Sequence, residues 1–357
     1  MQKIVVEINL KSIVDNALAW KRLSGKRLCA VVKADGYGHG AEAVALALSG
    51  VADCFAVALV EEAFKIKAAA CGKDILVMTP PIDDGDAEAI VQNGWIACVP
   101  DLVTAKRMVR VAKAVGASPR IHIKVDTGMN RYGANRQLLG KICKYLKHEH
   151  VCIEGLFSHL YLHEQACAEE QRRSFVGAWR VCKGYFSTFI AHLSATYGAT
   201  LGEDFAFDML RVGLGLYGYL PDDMPQKECV ESQLGLKKAM RVRARVVGSK
   251  AFVGGGLGYG LGTADERARA KELGVSVVRV GYADGVARKD LFKVADGKNQ
   301  VEPLCVDAQL RLGRLAKGEL VDVMTDAYQT AKRAGTICYE ILCSAAKRGE
   351  IEYVYKK

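Results

Sequence analysis

Ala30-Val31-Val32-Lys33-Ala34-Asp35-Gly36-Tyr37-Gly38-His39-Gly40 is the stretch on which the fold of this chain turns. An apolar, β-branched run ends in a lysine, and glycines at alternate positions then stop the strand. In parallel α/β proteins the carboxyl ends of the strands face the mouth where ligands collect, so Lys33 is placed to present its amine there. An amine in such a setting is a Schiff-base candidate. The glycines let backbone approach a ligand or turn sharply, and Tyr37 offers a hydroxyl to an anion. The same residues also contain Gly36-x-Gly38-x-x-Ala41, the looser dinucleotide fingerprint, with Asp53 seventeen residues past Gly36. On this stretch alone, a Rossmann oxidoreductase and an exposed lysine beside a glycine turn both stay open.

Short apolar runs alternate with longer amphipathic ones between residues 28 and 220. The candidate strands are 28–33, 54–58, 75–79, 95–99, 120–125, 153–158, 190–194 and 207–212. The clearest helix between them starts at the N-cap Asp101, carries Leu102, Ala105, Val109 and Ala112 on one face, and stops at Gly116. This β-then-α alternation implies parallel strands covered by helices. Eight units in so short a length favour an eight-stranded barrel over a doubly wound sheet. Beyond Pro221 and Pro225 the texture changes to runs at 241–247, 275–280, 320–323 and 339–342 separated by glycine-rich turns, the mark of a second, mainly β domain. The run at 4–8 is also strand-like and is a candidate to pair with it. The expected division is therefore a barrel over 10–222 and a β domain formed by 1–9 and 223–357.

Composition narrows the function class. The chain has 357 residues, half of them apolar and a quarter charged, with a net charge of +10. The basic excess is able to steer small phosphorylated or carboxylated ligands, but the basic residues are scattered, as at Lys106, Arg107 and Arg110, which favours ordinary solvated faces, and no nucleic-acid partner is inferred. No run is long enough to span a bilayer and no signal-like stretch opens the sequence, so a soluble, cytoplasmic protein is expected. The twelve cysteines form no Cys-x-x-Cys pair and read as reduced core thiols. His159 and His163 stand four residues apart, but without the glutamate of a zinc helix, so no metal is expected.

The segment Val32–Gly40 resembles the cofactor-lysine signature of the alanine racemase family, and further segments resemble that family in chain order. The resemblance implies an α/β barrel with a C-terminal β domain, pyridoxal 5′-phosphate carried on Lys33, a small amino-acid substrate, and a homodimer whose active sites are completed across the interface. Lys124-Val125-Asp126-Thr127-Gly128-Met129-Asn130-Arg131 is similar to the family segment whose arginine contacts cofactor and substrate, a part that falls to Arg131. Lys124 falls where some members carry a carbamylated lysine; an ordinary lysine paired to Asp126 or to solvent fits equally. His159 matches the histidine that packs on the pyridine ring. Leu210-Arg211-Val212-Gly213-Leu214 implies that Arg211 faces the pyridine nitrogen and that the Gly213 and Leu214 amides meet phosphate, with Thr196 replacing a phosphate-binding serine and Tyr37 also on the cofactor.

In the β domain the resemblance makes Tyr259 the second catalytic base, Tyr282 a residue lining substrate access, and the Val306 amide a carboxylate contact. Read without the resemblance, Tyr259 in a glycine-rich stretch is a hairpin residue. The chain departs from the family near its end, where Arg348-Gly349-Glu350-Ile351 replaces Arg-Val-Pro-Arg and Lys347 stands where many members have a phosphate-contacting tyrosine. The expected activity is interconversion of L- and D-alanine for D-alanine biosynthesis. A serine or broad-specificity racemase of the same family is the nearest alternative. A pyridoxal enzyme of the related decarboxylase branch, a non-catalytic single-barrel pyridoxal-binding protein and a Rossmann oxidoreductase are further off.

Overall fold

The computed structural model describes residues 4–161, 164–259, 263–286, 305–345 and 347–356, together with the backbone of 301–302. His163, Gly260 and Leu304, which the sequence reading touched, lie outside them. The chain divides into two compact units, one formed by 13–36 and 41–237, the other by 1–12, 37–40 and 238–357.

The first unit is the barrel. Its strands are β2 (Arg27–Val31), β3 (Cys54–Val57), β4 (Asp74–Val77), β5 (Ile96–Val99), β6 (Arg120–Lys124), β7 (Gly155–Phe157), β8 (Ile190–His192) and β9 (Met209–Val212). All neighbours pair in parallel, in the order β8-β7-β6-β5-β4-β3-β2-β9. The Asp208 and Arg211 amides reach the Ala191 and Ser194 carbonyls at 3.0 Å each, which brings β9 beside β8 and nearly closes the ring. The strands are almost wholly buried because the interior and the covering helices take both faces. The helix Leu102–Ala114 is typical of that cover: the Asp101 carboxylate accepts from the Thr104 amide at 2.7 Å, and Ala105, Met108, Val109 and Ala112 are buried. Each expected barrel strand is present, shorter by a residue or more at one or both ends.

The second unit is a seven-stranded sheet in the order β12 (Val301–Glu302), β13 (Gln309–Leu312), β11 (Val275–Val278), β10 (Met240–Lys250), β1 (Ile4–Asn9) and β15 (Glu350–Val354), with β14 (Leu320–Met324) also on β10. The N-terminal strand pairs antiparallel with β10, Ile4 opposite Ala244, and parallel with β15, Val5 opposite Glu350. One expectation fails in this unit: residues 339–342 are not a strand but the middle of the helix Cys338–Ser344. Cys338, Ile341 and Leu342 are buried, a spacing of three and four that suits a helix face, and the Ser344 hydroxyl bonds back to the Glu340 carbonyl at 2.7 Å. All twelve cysteines are free thiols, but only six are buried, so the reading as core thiols holds for half of them. Among the described residues no helix is long and apolar enough to cross a membrane.

Candidate active site

The barrel-unit residues singled out from sequence lie near or beyond the carboxyl end of a strand: Lys33 after β2, Lys124 at the end of β6 and Arg131 beyond it, His159 after β7, Thr196 after β8, Arg211 one residue before the end of β9, Gly213 and Leu214 after it. Parallel strands in a barrel present these ends on one rim. The electrostatics agree. Burial holds the half-buried His159 ring well below its ordinary pKa, and the charges of Arg211, Lys124, Arg131 and Lys33 push the same way.

Lys33 does not close the strand. β2 ends at Val31, and Lys33 begins a helical stretch, Lys33–Gly38, of the left hand: φ is +52° at Ala34, +53° at Asp35, +63° at Gly36, +53° at Tyr37 and +80° at Gly38. Left-handed L-residues cost roughly 1–2 kcal/mol each, so this turn persists only because its surroundings hold it. The Gly36 amide bonds the Val32 carbonyl at 2.8 Å, and the Asp35 carboxylate accepts from the Ala41 amide at 3.0 Å and pairs with Lys65. At Gly38 a side chain would collide with the Leu342 carbonyl, so glycine is required there for space as well as torsion. Tyr37 is buried, its ring centroid 6.1 Å from that of Tyr339.

Arg211 is buried, and both of its terminal nitrogens are engaged. Its Nη1 lies 2.8 Å from the His192 carbonyl and 2.9 Å from His192 Nδ1, while Nη2 donates to the carbonyls of Ser158 at 2.5 Å and Leu193 at 3.1 Å. Burial pushes its pKa down to about 10, which still leaves it charged at neutral pH. A charged guanidinium can only donate, so His192 Nδ1 must accept and His192 Nε2 must carry the proton. That proton points at His122 Nδ1, 3.0 Å away. Burial keeps both rings neutral, with the His122 pKa lowered to about 3. Neither histidine lies in a segment that the sequence marks as part of a site.

Thr196 is buried and accepts from the Gly215 amide at 3.2 Å, joining the end of β8 to the turn Leu214–Tyr217. The first amides of that turn have no carbonyl one turn earlier, which leaves the Gly213–Leu214 backbone suited to an anion. Lys124 is 4% exposed, its amine 4.9 Å over the Phe157 ring, and burial lowers its pKa to about 7. The solvated alternative for Lys124 therefore fails. Asp126 instead receives the Gly128 and Asn130 amides. Arg131 is exposed and lies over the Tyr132 ring.

In the sheet unit, Tyr282 and Val306 are brought together. The Tyr282 amide donates to the Cys305 carbonyl at 3.3 Å and the Ala283 amide to the Val306 carbonyl at 3.0 Å. The turn Tyr282–Asp284 is held from beneath by Asp284, whose carboxylate is 1% exposed and takes the Gly281 amide at 2.7 Å and Arg348 Nε at 2.6 Å. Asp284 and Arg348 were not singled out as site residues. Tyr259 stands apart: it is 87% exposed, two residues beyond Leu257, which is packed among Ala270, Val275 and Leu312.

Fold and rim together define a class: β/α barrels with an added β-sheet unit and a lysine just past the first barrel strand. The alanine racemase of Streptomyces lavendulae has this fold, with a TM-score of 0.88 over 100% of this chain and 98% of that one at 25% identity. The Bartonella henselae alanine racemase solved with covalently bound pyridoxal phosphate shares the fold at 23% identity, with a TM-score of 0.83 over 99% of this chain and all of that one. In sequence, residues 8–221 match the model of the alanine racemase N-terminal domain. An alanine racemase of Prochlorococcus marinus is 31% identical over 96% of this chain and 94% of its own length. The chain belongs to the alanine racemase family.

Proposed function

We propose that this protein interconverts L- and D-alanine with pyridoxal 5′-phosphate, using Lys33 and Tyr259 as its two acid–base groups. The observation that carries the reading is the convergence of Lys33, Arg131, His159 and Arg211 on one barrel rim, in a chain of the alanine racemase family.

The residues on this rim fit the cofactor by their chemistry. Lys33 supplies an amine, His159 a ring that burial keeps neutral and suited to stacking, and Arg211 a donor that does not surrender its proton. The Gly213 and Leu214 amides and the Thr196 hydroxyl suit a phosphate, with Tyr37 a further cofactor contact. When bound, the cofactor supplies the electron sink that makes an amino acid's Cα proton removable. Lys33 holds it and exchanges a proton with Cα on one face; Tyr259 serves the opposite face. Arg131 and the Val306 amide hold the substrate carboxylate, and Tyr282 lines the approach. Arg211 fixes a hydrogen-bond donor, not a transferable proton, against the ring nitrogen, which favours return of the proton to Cα.

The exposure of Tyr259 on a single chain supports a site completed by a second copy. In that homodimer the barrel, 10–222, binds cofactor, and the β part, 1–9 and 223–357, reaches the partner's site. The protein acts in the cytoplasm on a small amino acid, supplying D-alanine. Chiral chromatography after incubation with single enantiomers tests the activity: D-alanine should form from L-alanine faster than D-serine from L-serine, and the reverse order, or no product, overturns it. Mixing Lys33→Ala with Tyr259→Phe chains tests the shared site. Verified heterodimers should regain activity, since one of their two sites is intact, and inactive heterodimers beside active wild-type exchange controls refute it.

A further inference from the structure

We propose that Glu62 is the positioning residue for Lys33: its carboxylate clamps the peptide that leaves Lys33 onto the end of the neighbouring barrel strand. The inference rests on the reading of Lys33 as the cofactor lysine.

The parallel ladder between β2 and β3 runs from Cys29 opposite Cys54 to Val31 opposite Ala56, and its last bond is from the Val32 amide to the Ala56 carbonyl at 2.9 Å. Two residues later, at Ala34, the chain turns left-handed, and the ladder cannot continue. Glu62 takes over at this point. Its Oε1 accepts from the Ala34 amide at 2.7 Å, and its Oε2 from the Ala58 amide at 2.7 Å and the Leu59 amide at 3.2 Å.

Half of this is ordinary helix chemistry. Glu62 is the third residue of the helix Val60–Ile66, where a carboxylate commonly receives the N-cap amide; Leu59 has no side-chain acceptor to return the bond. Capping needs only Oε2. Oε1 instead reaches a peptide 28 residues earlier. That peptide joins Lys33 to Ala34, so its orientation is set by ψ of Lys33 and φ of Ala34, and holding its N–H fixes the direction in which the Lys33 side chain leaves the backbone. A long, flexible side chain amplifies any error at its root, and a base must stay within hydrogen-bond reach of its proton. Lys65, one helical turn on from Glu62, adds a second tether to the same turn through Asp35 at 2.5 Å.

Glu62→Gln is the test, because glutamine keeps the shape but offers one oxygen and turns an N–H₂ toward a donor on the other side. Backbone hydrogen–deuterium exchange is measured on wild-type and variant holoenzyme, beside steady-state kinetics with alanine and thermal unfolding. The expected result is exchange about tenfold faster at the Ala34–Gly36 amides with no change in β6, and kcat lower by about tenfold with KM within about twofold. Unchanged exchange at Ala34, or unchanged kcat, overturns the proposal. So does a loss of activity that only tracks the fraction unfolded. If the variant does not fold, the wild type decides: the Ala34 amide should share the protection of Ala58 and Leu59, and an unprotected Ala34 amide overturns the clamp. Failure of the underlying reading is seen separately, as wild-type protein that takes up no cofactor on Lys33.

Discussion

Replacing Gly281 with alanine adds one methyl group at a close backbone approach in the sheet unit and should disable turnover while leaving the fold in place. Gly281 has extended backbone, φ −151°, so alanine meets no torsional penalty there and the effect is steric. Its Cβ would fall inside 3.0 Å of the Asp307 amide nitrogen, the Cys305 carbonyl oxygen and the Val306 carbonyl carbon, where ordinary contact begins at 3.4 Å. All three are backbone atoms, so the turns carrying Tyr282 and Val306 must part by about 1 Å. That stretches the 3.0 Å bond from Ala283 to Val306 and the 3.3 Å bond from Tyr282 to Cys305 out of range. Two lost bonds cost about 1–3 kcal/mol of stability. If Tyr282 and the Val306 amide meet the substrate as proposed, a 1 Å displacement of them lowers kcat/KM on the order of 100-fold, or about 2.7 kcal/mol of barrier. The assay is D-alanine formation by chiral chromatography, beside a urea titration. Gly177→Ala is the control, since nothing lies within 4 Å of its new methyl group and it sits within the helix Gln165–Lys183; kinetics should be unchanged and stability equal or up to about 1 kcal/mol higher. A Gly281→Ala enzyme within about threefold of wild-type kcat/KM would refute the idea that these packed turns set the substrate subsite.

Lys124 should make stability depend on pH: its pKa is lowered from 10.5 to about 7 in the folded chain, so its contribution is present above the unfolded value and lost as pH falls toward 7. Urea midpoints should therefore rise from pH 7 to pH 9.5 in the wild type and rise less in Lys124→Met; equal slopes would contradict the buried, neutral amine. Arg348→Ala removes the nearer of the two arginines beside the buried Asp284 carboxylate and leaves Arg279 Nη1 at 4.0 Å, so the urea midpoint should fall, and an unchanged midpoint would show that Arg348 does not hold this turn. Tyr259→Phe should abolish racemisation yet leave Lys33-dependent exchange of the Cα hydrogen with deuterated water for one enantiomer, read by mass spectrometry; exchange with both enantiomers would remove Tyr259 from the second face.

The barrel was legible because each strand is a short buried run with a turn signal after it, and the rim residues lie just past those runs. The overreach at strand ends has a physical cause: Val32 continues the apolar texture of β2 up to Lys33, but the positive φ values that follow are tertiary choices. Four residues at 339–342 were too few to separate a helix face from a strand. β13 escaped notice because its polar residues point inward: Gln309 and Arg311 are buried, and Arg311 bonds the Asp322 carbonyl, which no alternation of apolar residues announces. The site divides in the same way. Lys33, Arg211 and their neighbours sit in recognisable segments, whereas His192, His122, Glu62 and Asp284 act through bonds to residues 28 to 70 positions away, or through burial, and neither leaves a local pattern.

The central claim is that Lys33 carries the cofactor. Purified protein supplied with pyridoxal 5′-phosphate is reduced with borohydride and digested with trypsin, and the labelled peptide is sequenced by mass spectrometry. The account predicts one phosphopyridoxyl group per chain on Lys33, in the peptide Leu28–Lys65 left when trypsin cannot cut at the blocked lysine, and lost in Lys33→Ala. A label on another lysine, or none, would contradict it.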